Sequence, residues 1–162
     1  MWNPFQHLKE PRYETLKRVQ GDKLKTFKQT DVNLNCSHRY EGLVNYIAGR
    51  YGNAVEIGIG HCPDVAFALL QRGVQVFATD IRQFHYSGLK VIVDDIVEPN
   101  LSAYPPADLI YSLRPPPELV PYMTQLARRL STDLIIKPLA PEYLESQLIR
   151  HGNTSFFLWN NR

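Results

Sequence analysis

From about residue 39 onward, short apolar runs alternate with segments of helical spacing, and this alternation constrains the fold more than any other feature. Six runs are predicted to be strands: Ala54–Ile57, Val74–Thr79, Lys90–Val93, Ala107–Ser112, Asp133–Ile136 and Thr154–Trp159. The segments between them repeat apolar residues every three or four positions, as amphipathic helices do. Strands that are apolar on both faces and alternate with helices are typical of a parallel sheet covered on both sides.

The helices are predicted from their ends as well as from their periodicity. Ser37 is a suitable N-cap for a helix that Gly52 closes, and Pro63 suits the first position of a helix that Gly73 stops. Two further helices follow, over residues 119–130 and from Pro141 to about residue 150. Right-handed crossovers then bring the C-terminal ends of the parallel strands to one edge of the sheet, where such folds bind ligands.

The last predicted strand, Thr154–Trp159, has no strand after it and should therefore lie at an edge of the sheet. Phe156, Phe157 and Trp159 on this strand fit packing in the core, and the alternative is the surface of a homodimer. The sequence thus predicts one Rossmann-like α/β domain over residues 36–162. It is a three-layer sandwich with a mostly parallel sheet of about six strands.

Residues 1–35 differ from the rest because they are polar and basic and have no sustained periodicity. Stretches such as Lys9–Arg12 and Gly21–Lys25 predict a basic, poorly ordered N-terminal extension. One alternative is a nucleic-acid-binding arm, for which affinity would fall steeply with salt.

The overall composition excludes several classes of protein. A formal net charge of +2 is too small to indicate nucleic acid or an anionic membrane as the partner. No apolar run is long enough to span a membrane, and the first residues do not resemble a signal peptide. Two cysteines, Cys36 and Cys62, form no disulfide framework, which favours a soluble, cytoplasmic protein.

A glycine turn directly follows the first predicted strand, with the sequence Gly58-Ile59-Gly60. Gly58 permits a tight turn, and Gly60 lets a ligand approach the backbone without a Cβ in the way. Asp80 ends the second strand about 20 residues later, where a carboxylate can accept hydrogen bonds from both ribose hydroxyls. This order of elements indicates a cofactor that contains a nucleoside: a strand, a glycine turn, a helix, a second strand and an acidic residue at its end.

Two residues argue against a pyrophosphate-containing cofactor. Pro63 stands where the dinucleotide fingerprint has its third glycine, and it removes an N–H from the helix end that would bind phosphate. Asp64 adds a carboxylate that would repel pyrophosphate. S-adenosylmethionine has no phosphate, and its ammonium, ribose hydroxyls and adenine amino group are donors that suit acidic residues. The residues predicted to contact it are Glu56, Gly58, Gly60, His61, Asp80, Asp94 and Asp95.

Four segments resemble a known family: residues 55–60, 78–82, 94–96 and 107–119. The most specific of them is 107–119, which contains Ser112-Leu113-Arg114 followed by three prolines. Over about residues 39–159 the chain resembles a small, mainly archaeal family of uncharacterised function with a compact class I methyltransferase-like Rossmann fold. The resemblance implies that Glu56, Gly58 and Gly60 form the first cofactor motif and that Asp80 binds ribose. It implies adenine contact by Asp94 or Asp95. The acceptor motif of larger methyltransferases is absent after the fourth strand, and the chain is predicted to lack their final antiparallel hairpin.

Arg114 and Lys137 follow the fourth and fifth strands, and each precedes a proline that ends its strand. Two cations at the ligand-binding edge favour a phosphate or carboxylate on a second substrate, with Arg114 as the bidentate partner. The alternative is an internal ion pair with a nearby carboxylate. Replacement of Arg114 by alanine distinguishes them, because only an internal pair would make the fold depend on this residue.

Candidates for a catalytic role are His61, Ser112 and Arg114, because methyl transfer needs positioning and, for a protonated acceptor, a base. Tyr111 is favoured as sheet packing. Two thiols and two imidazoles occur as the pairs Cys36/His38 and His61/Cys62. A zinc site is not predicted from them, because their spacing matches no zinc module.

Two functions remain open on these grounds. The first is a methyltransferase that acts on a small anionic or nucleotide-like substrate with S-adenosylmethionine as cofactor. The second is a non-catalytic sensor or adaptor that binds an adenosine-containing metabolite.

Overall fold

A computed structural model describes residues 38–139 and 146–161 of the chain, and these residues form a seven-stranded sheet. The strand order is β3-β2-β1-β4-β5-β7-β6, in which β1 to β5 are parallel and β7 runs antiparallel to both of its neighbours. The strands are β1 (Asn53–Ile57), β2 (Gln75–Asp80), β3 (Lys90–Val93), β4 (Leu109–Leu113), β5 (Asp133–Lys137), β6 (Gln147–His151) and β7 (Thr154–Trp159).

Three α-helices that lie wholly within the described residues cover the two faces of the sheet: α1 (Glu41–Ala48), α2 (Asp64–Gln71) and α3 (Val120–Leu130). Leu43 and Ile47 of α1 and Leu69 of α2 pack with Tyr111 and Ile135 on one face. On the other face, residues of α3 pack with those strand residues that point the opposite way: Val55, Ile57, Ile110, Leu134 and Ile136. Because side chains alternate along a strand, each strand contributes to both cores, and the predicted three-layer α/β sandwich is confirmed.

Helix α2 begins one residue later than predicted. Pro63 lies at the N-cap position and Asp64 is the first helical residue, while the carbonyl of Pro63 accepts a hydrogen bond from the amide of Phe67. The predicted N-cap Ser37 and the predicted extension over residues 1–35 lie outside the described residues.

The predicted final helix is wrong over its described part, because residues 147–151 form strand β6. Gly152 and Asn153 join β6 to β7 as a two-residue hairpin turn, and Gly152 has a φ of 56°. A Gly-Asn pair between apolar runs is a hairpin signal in its own right, and the periodicity of residues 141–150 concealed it.

Strand β7 is consequently internal, which corrects the prediction that it forms an edge and the prediction that the antiparallel hairpin is missing. Phe156 and Phe157 on β7 are both buried, Phe156 in the core on the α1 and α2 face, and Trp159 packs against the core on the α3 face. These aromatic residues therefore pack in the interior, as the first of the two interpretations predicts.

The β6–β7 turn also holds the beginning of α1. The Oδ1 atom of Asn153 accepts a hydrogen bond from the amide of Gly42 at 3.0 Å, and its Nδ2 atom donates to the carbonyl of His38 at 2.6 Å. The backbone of α1 lies so close to the end of β6 that a Cβ on Gly42 would lie 1.9 Å from the carbonyl oxygen of His151. Among the described residues, no helix is long and apolar enough to cross a membrane.

Candidate functional site

A cavity of about 160 Å³ opens at the C-terminal ends of β1 and β4. These neighbouring strands are the point where the order of the sheet reverses, since β2 and β3 lie to one side and β5 to the other. Open α/β sheets bind ligands at this point. The residues that line the cavity are Tyr40, Glu56, Gly58, Ile59, Gly60, His61, Cys62, Asp64, Val65, Leu113 and Arg114.

The glycine turn forms one wall of the cavity and has the geometry that its sequence predicts. Gly58 and Gly60 have φ values of 74° and 54°, a region that residues with a Cβ rarely adopt. A Cβ built on either glycine would meet no atom within 4 Å, so open space faces both backbones. Room for a ligand therefore exists against the turn.

Asp80, at the end of β2, holds the glycine turn through backbone amides. Its Oδ2 atom accepts a hydrogen bond from the amide of Gly60 at 2.9 Å, and its Oδ1 atom accepts one from the amide of Arg82 at 2.9 Å. Each carboxylate oxygen has a further lone pair, so Asp80 keeps the capacity to accept hydrogen bonds from a ligand. The hydroxyl of Tyr86 donates to the carbonyl of Gly60 at 2.6 Å and ties the β2–β3 loop to the same turn.

Asp94 and Asp95 follow β3, and neither of them lines the cavity. The carboxylate of Asp94 accepts hydrogen bonds from the amide of Asn100 at 3.1 Å and from the hydroxyl of Tyr104 at 2.5 Å. Burial and the adjacent Asp94 carboxylate raise the pKa of Tyr104. Asp95 is exposed and accepts a hydrogen bond from the amide of Val97 at 2.9 Å. In this structure both aspartates organise the loop after β3.

Glu56 lies at the base of the cavity and is 1% exposed. Its Oε2 atom accepts a hydrogen bond of 2.7 Å from the hydroxyl of Tyr111 on β4, whose own pKa is raised well above its usual range, chiefly by burial. Burial raises the pKa of Glu56 to about 8, and the neighbouring carboxylate of Asp64 adds to this rise, whereas the Tyr111 hydrogen bond opposes it. Glu56 is therefore predominantly protonated at neutral pH.

Asp64 is the second carboxylate of the cavity, and it is 8% exposed at the first position of α2. Its side chain makes no hydrogen bond or ion pair with another described residue. An acidic residue at a helix N-terminus interacts favourably with the helix dipole, so the first position of α2 suits this carboxylate.

An apolar surface adjoins Asp80. Ile81, the next residue along the chain, is 67% exposed, and a large apolar side chain at that exposure is available to a planar ligand. The rings of Phe84 and Tyr86 stack in parallel at 6.1 Å, and His61 meets Phe84 edge-on at 4.9 Å. His61 is thus held at the rim of the cavity by an aromatic contact.

Arg114 lies across the cavity from the glycine turn, directly after β4. It is exposed, and its φ of 53° is a strained backbone conformation for a residue other than glycine. Its amide donates a 2.7 Å hydrogen bond to the carbonyl of Lys137, which fixes the turn that follows β4. Neither Arg114 nor Lys137 forms an ion pair within the described ranges, and the Nζ atom of Lys137 lies 3.4 Å from the carbonyl of Pro138.

Two of the predicted catalytic candidates have other contacts. Ser112 is buried and donates a hydrogen bond of 2.7 Å to the carbonyl of Ile57, so it links β4 to β1 and does not face the cavity. His61 does line the cavity, as does Cys62. Cys36, the other thiol considered for zinc, lies outside the described residues.

Sequence reasoning missed three residues of this site: Asp64, Ile81 and Tyr86. The sequence predicts Asp64 only as a charge that repels pyrophosphate, although a carboxylate in the first turn of the helix after a glycine turn lies near that turn. Ile81 could have been predicted from the sequence. It directly follows the acid that ends β2, which places it at the edge of the sheet where such folds bind ligands. Tyr86 had none, since its contact depends on the path of the β2–β3 loop.

Together, the sheet order and the glycine turn define this protein as a class I methyltransferase-like Rossmann fold, and solved structures share that fold. A protein from Pyrococcus horikoshii matches with a TM-score of 0.58 at 14% identity, covering 82% of this chain and 94% of that one. An S-adenosylmethionine-dependent methyltransferase from Archaeoglobus fulgidus matches with a TM-score of 0.54 at 19% identity, covering 70% and 56%. Magnesium protoporphyrin IX methyltransferase from Synechocystis, solved with bound S-adenosylmethionine, matches with a TM-score of 0.53 at 15% identity, covering 88% and 86%.

More similar sequences identify the family. The model of an uncharacterised protein family, UPF0146, matches residues 41–161. A UPF0146 protein from Archaeoglobus fulgidus is 42% identical over 118 residues, which cover 72% of this chain and 91% of that protein. Another from Pyrococcus horikoshii is 36% identical over 117 residues, covering 68% and 89%. The chain belongs to the UPF0146 family, which confirms the resemblance to a mainly archaeal family with this fold.

Proposed function

We propose that this protein binds S-adenosylmethionine in the cavity beside the glycine turn and acts as a methyltransferase on a small anionic or nucleotide-like substrate. The observation that carries the proposal is the open space over Gly58 and Gly60, at the point where the strand order reverses. A turn of this conformation, with room for a ligand and an acid at the end of the next strand, is the common feature of nucleoside sites in this fold.

The residues around the turn fit the parts of S-adenosylmethionine. Asp80 would accept hydrogen bonds from the ribose hydroxyls, and the exposed side chain of Ile81 would contact the adenine ring. Glu56 and Asp64 would face the ammonium of the methionine part, because both are buried acids at the cavity. The bound cofactor would supply a methyl group on a sulfonium, and the chain would supply orientation and exclusion of water.

The same residues disfavour a dinucleotide. Pro63 at the N-cap of α2 has no N–H to offer a phosphate, and Asp64 adds a buried carboxylate directly behind it. The carboxylate of Asp64 would repel a pyrophosphate bound in the cavity through a medium of low dielectric constant.

Calorimetric titration of the full chain with S-adenosylmethionine, S-adenosylhomocysteine and NAD tests the cofactor. We expect the first two to bind at one site per chain and NAD to give no heat of binding at the same concentrations. Replacement of Asp80 by asparagine should weaken binding of the first two by about tenfold or more, since hydrogen bonds to a charged acceptor contribute about 1.5–3 kcal/mol. Binding of NAD alone would overturn the proposal.

Arg114 is proposed to hold the anionic group of the second substrate, with Lys137 as a second cation. The guanidinium of Arg114 is exposed at the mouth of the cavity, and its strained φ persists because the hydrogen bond to Lys137 and the prolines after it fix the turn. Strain of this kind is concentrated at functional sites. An arginine held in this way can bind a phosphate or carboxylate with two parallel hydrogen bonds.

Titration with inorganic phosphate, in the presence of S-adenosylhomocysteine, tests this role. Arg114→Ala should abolish phosphate binding and leave the far-ultraviolet circular dichroism and melting temperature nearly unchanged, because the side chain is exposed and forms no ion pair with the described residues. Arg72→Ala, on the exposed end of α2, is the matched control that should leave binding intact. A protein that unfolds on loss of Arg114 would support an internal structural role instead.

The second function considered, a sensor that binds an adenosine metabolite without catalysis, shares the cofactor site. One observation favours it: Ser112, a candidate for catalysis, is committed to the carbonyl of Ile57. Transfer of a labelled methyl group to any acceptor in an extract of small molecules would exclude the sensor.

A further inference from the structure

Strand β3 forms one edge of the sheet and carries an apolar surface there. Among the described residues its one neighbour in the sheet is β2, so one side of its backbone has no strand beside it. Val93 at the end of β3 is 54% exposed, and Val97 in the loop that follows is 43% exposed. Exposed apolar residues beside an open strand form a surface to which another chain can add a strand.

The hydrogen bonds between β2 and β3 determine which residues of β3 face the open side. The amide of Asp94 donates to the carbonyl of Asp80 at 3.0 Å, so the N–H of Asp94 points towards β2. Backbone groups point alternately to the two sides of a strand. Ile92 therefore also faces β2, whereas the N–H and C=O groups of Val91 and Val93 face away from it.

The side chains of β3 alternate between the two faces of the sheet. Val91 packs on the α2 face, and Ile92 packs with the core on the α3 face. Lys90 and Asp94 lie two residues before and after Ile92 and share its face. A cation and an anion thus flank Ile92 on one face, while Val91 and Val93 lie together on the other.

A second copy of the chain, related by a two-fold axis, matches this edge in one register. In an antiparallel pair, residues whose backbone groups face the other strand lie opposite one another. With Ile92 at the axis, Val91 of each copy lies opposite Val93 of the other. Lys90 then lies opposite Asp94, and such cross-strand pairs of opposite charge are stabilising. Moving the axis to Val91 or Val93 would instead place a charged residue opposite Ile92.

The two charged side chains are available for this contact. Lys90 is exposed and forms no ion pair with a described residue, and its Nζ atom lies 5.7 Å from the centre of the Phe77 ring. The carboxylate of Asp94 accepts hydrogen bonds from the amide of Asn100 and the hydroxyl of Tyr104. An ionised carboxylate has about four acceptor sites, so these contacts fix the position of Asp94 and leave it able to bind a lysine.

The opposite edge of the sheet, β6, lacks this complementarity. Leu148 on β6 is 45% exposed, so apolar exposure alone does not distinguish the two edges. Arg150 is also exposed, however, and β6 contains no acidic residue. Self-pairing of β6 would bring the two arginines into one interface without an opposite charge on either strand.

We propose that the protein forms a two-fold symmetric homodimer in which β3 of each copy pairs antiparallel with β3 of the other, with Ile92 at the axis. The pairing joins two seven-stranded sheets into one continuous sheet whose outer edges are the two β6 strands. A two-fold contact of this kind is closed, so assembly stops at the dimer.

Hydrogen exchange followed by nuclear magnetic resonance on the full chain tests the register at single amides. In the dimer the amides of Val91 and Val93 donate to the other copy, so their exchange should be slower than that of exposed loop amides by about tenfold or more. The amides of Ile92 and Asp94 bond to β2 in a monomer as well and serve as the internal reference. Exchange of Val91 and Val93 as fast as in exposed loops would overturn the proposal.

Sedimentation equilibrium of the same sample measures the mass, and we expect twice the 18.7 kDa of the chain. Val93→Lys should raise the dimer dissociation constant by about tenfold or more, because a charge would then face Val91 of the other copy. Lys90→Asp should have a similar effect, since two acids would lie opposite each other. Leu148→Lys, at an equally exposed site on β6, is the matched control and should leave the dimer intact.

A monomeric mass, or a dimer that Leu148→Lys dissociates and Val93→Lys does not, would overturn the proposal. The mass and the exchange rates are measured on the unmodified chain, so a variant that folds poorly does not decide the result. Neither measurement involves the cofactor, and the dimer does not depend on the proposed function.

Discussion

Ionisation of Glu56 would favour binding of a cationic ligand but would destabilise the folded protein. It lies on a central strand, is buried, and has one hydroxyl as its hydrogen-bond partner. Such a position favours the neutral acid when the cavity holds no cation, so folding and ionisation compete. A ligand that carries an ammonium would lower the free-energy cost of ionising the buried Glu56 carboxyl. The residue that destabilises the folded state when charged would then contribute to binding.

A pH titration of stability tests this account of Glu56. Its pKa is raised from 4.5 to about 8 in the folded protein, so the folded state retains a proton that the unfolded chain has lost. Its contribution to stability is therefore complete below about pH 4.5 and is lost as the pH rises to about 8.

Glu56→Gln removes that loss while preserving an acceptor for the Tyr111 hydroxyl. We expect the variant to be more stable than the unmodified chain at about pH 8, by on the order of 2 kcal/mol, with the difference vanishing near pH 4.5. Urea denaturation at several pH values measures it. Glu118→Gln, at an exposed site, is the control, and an equal gain in both variants would contradict the assignment.

At the residue scale, the sequence predicted the ligand positions that depend on local geometry. Glu56, Gly58, Gly60, His61 and Arg114 were all expected at one edge of the sheet, and all line one cavity. Asp94 and Asp95 were expected there too, but loop hydrogen bonds engage their carboxylates. Such loop contacts arise from tertiary structure that a spacing rule does not contain.

The β6–β7 hairpin is the element that most distinguishes the structure from the fold that periodicity predicted. Its two-residue turn binds the first residues of α1 through Asn153, so the end of the chain secures the beginning of the described domain. The same hairpin shields β7, which would otherwise be an edge.

Gly42→Ala tests the importance of this contact. The added Cβ would lie 1.9 Å from the carbonyl oxygen of His151, so either α1 or the hairpin must move. Although alanine favours a helix more than glycine does, we expect a loss of about 1–3 kcal/mol in the free energy of unfolding, as overpacking predicts.

Thermal denaturation followed by circular dichroism measures this loss. Gly52→Ala is the control, because its Cβ would make an ordinary 3.7 Å contact with the Oδ2 atom of Asp108. A Gly42→Ala protein as stable as the unmodified chain would show that the β6–β7 hairpin does not pack closely against α1 in solution.

Most elements could be predicted because apolar periodicity and glycine or proline boundaries agree with the final packing. The five parallel strands and the helices between them were found to within one or two residues at most ends, as expected for boundaries that fray. The region of residues 141–151 failed because its apolar spacing fits a helix, whereas pairing with β7 and the Gly152–Asn153 turn select a strand. Local pattern alone does not include the partner strand.

At the scale of the whole molecule, one sheet carries out two tasks. Strands β1 to β5 bring the ligand-binding residues to a single edge, and the antiparallel hairpin closes the far side of the sheet. A second, wider cleft lies near the end of β7, lined by residues that include Arg128, Gln147 and Trp159. It contains no glycine turn and no buried acid pair, so we assign the ligand to the first cavity alone.

Amide chemical-shift mapping of the full chain with S-adenosylhomocysteine tests this assignment, because it reports binding and the location of the ligand together. We predict saturable shifts concentrated at Gly58, Gly60, Asp64 and residues 80–82, with the amides of Gln147 and Trp159 unchanged. Shifts centred on the cleft beside β7, or no saturable shift at any amide, would overturn the assignment of the ligand to the first cavity.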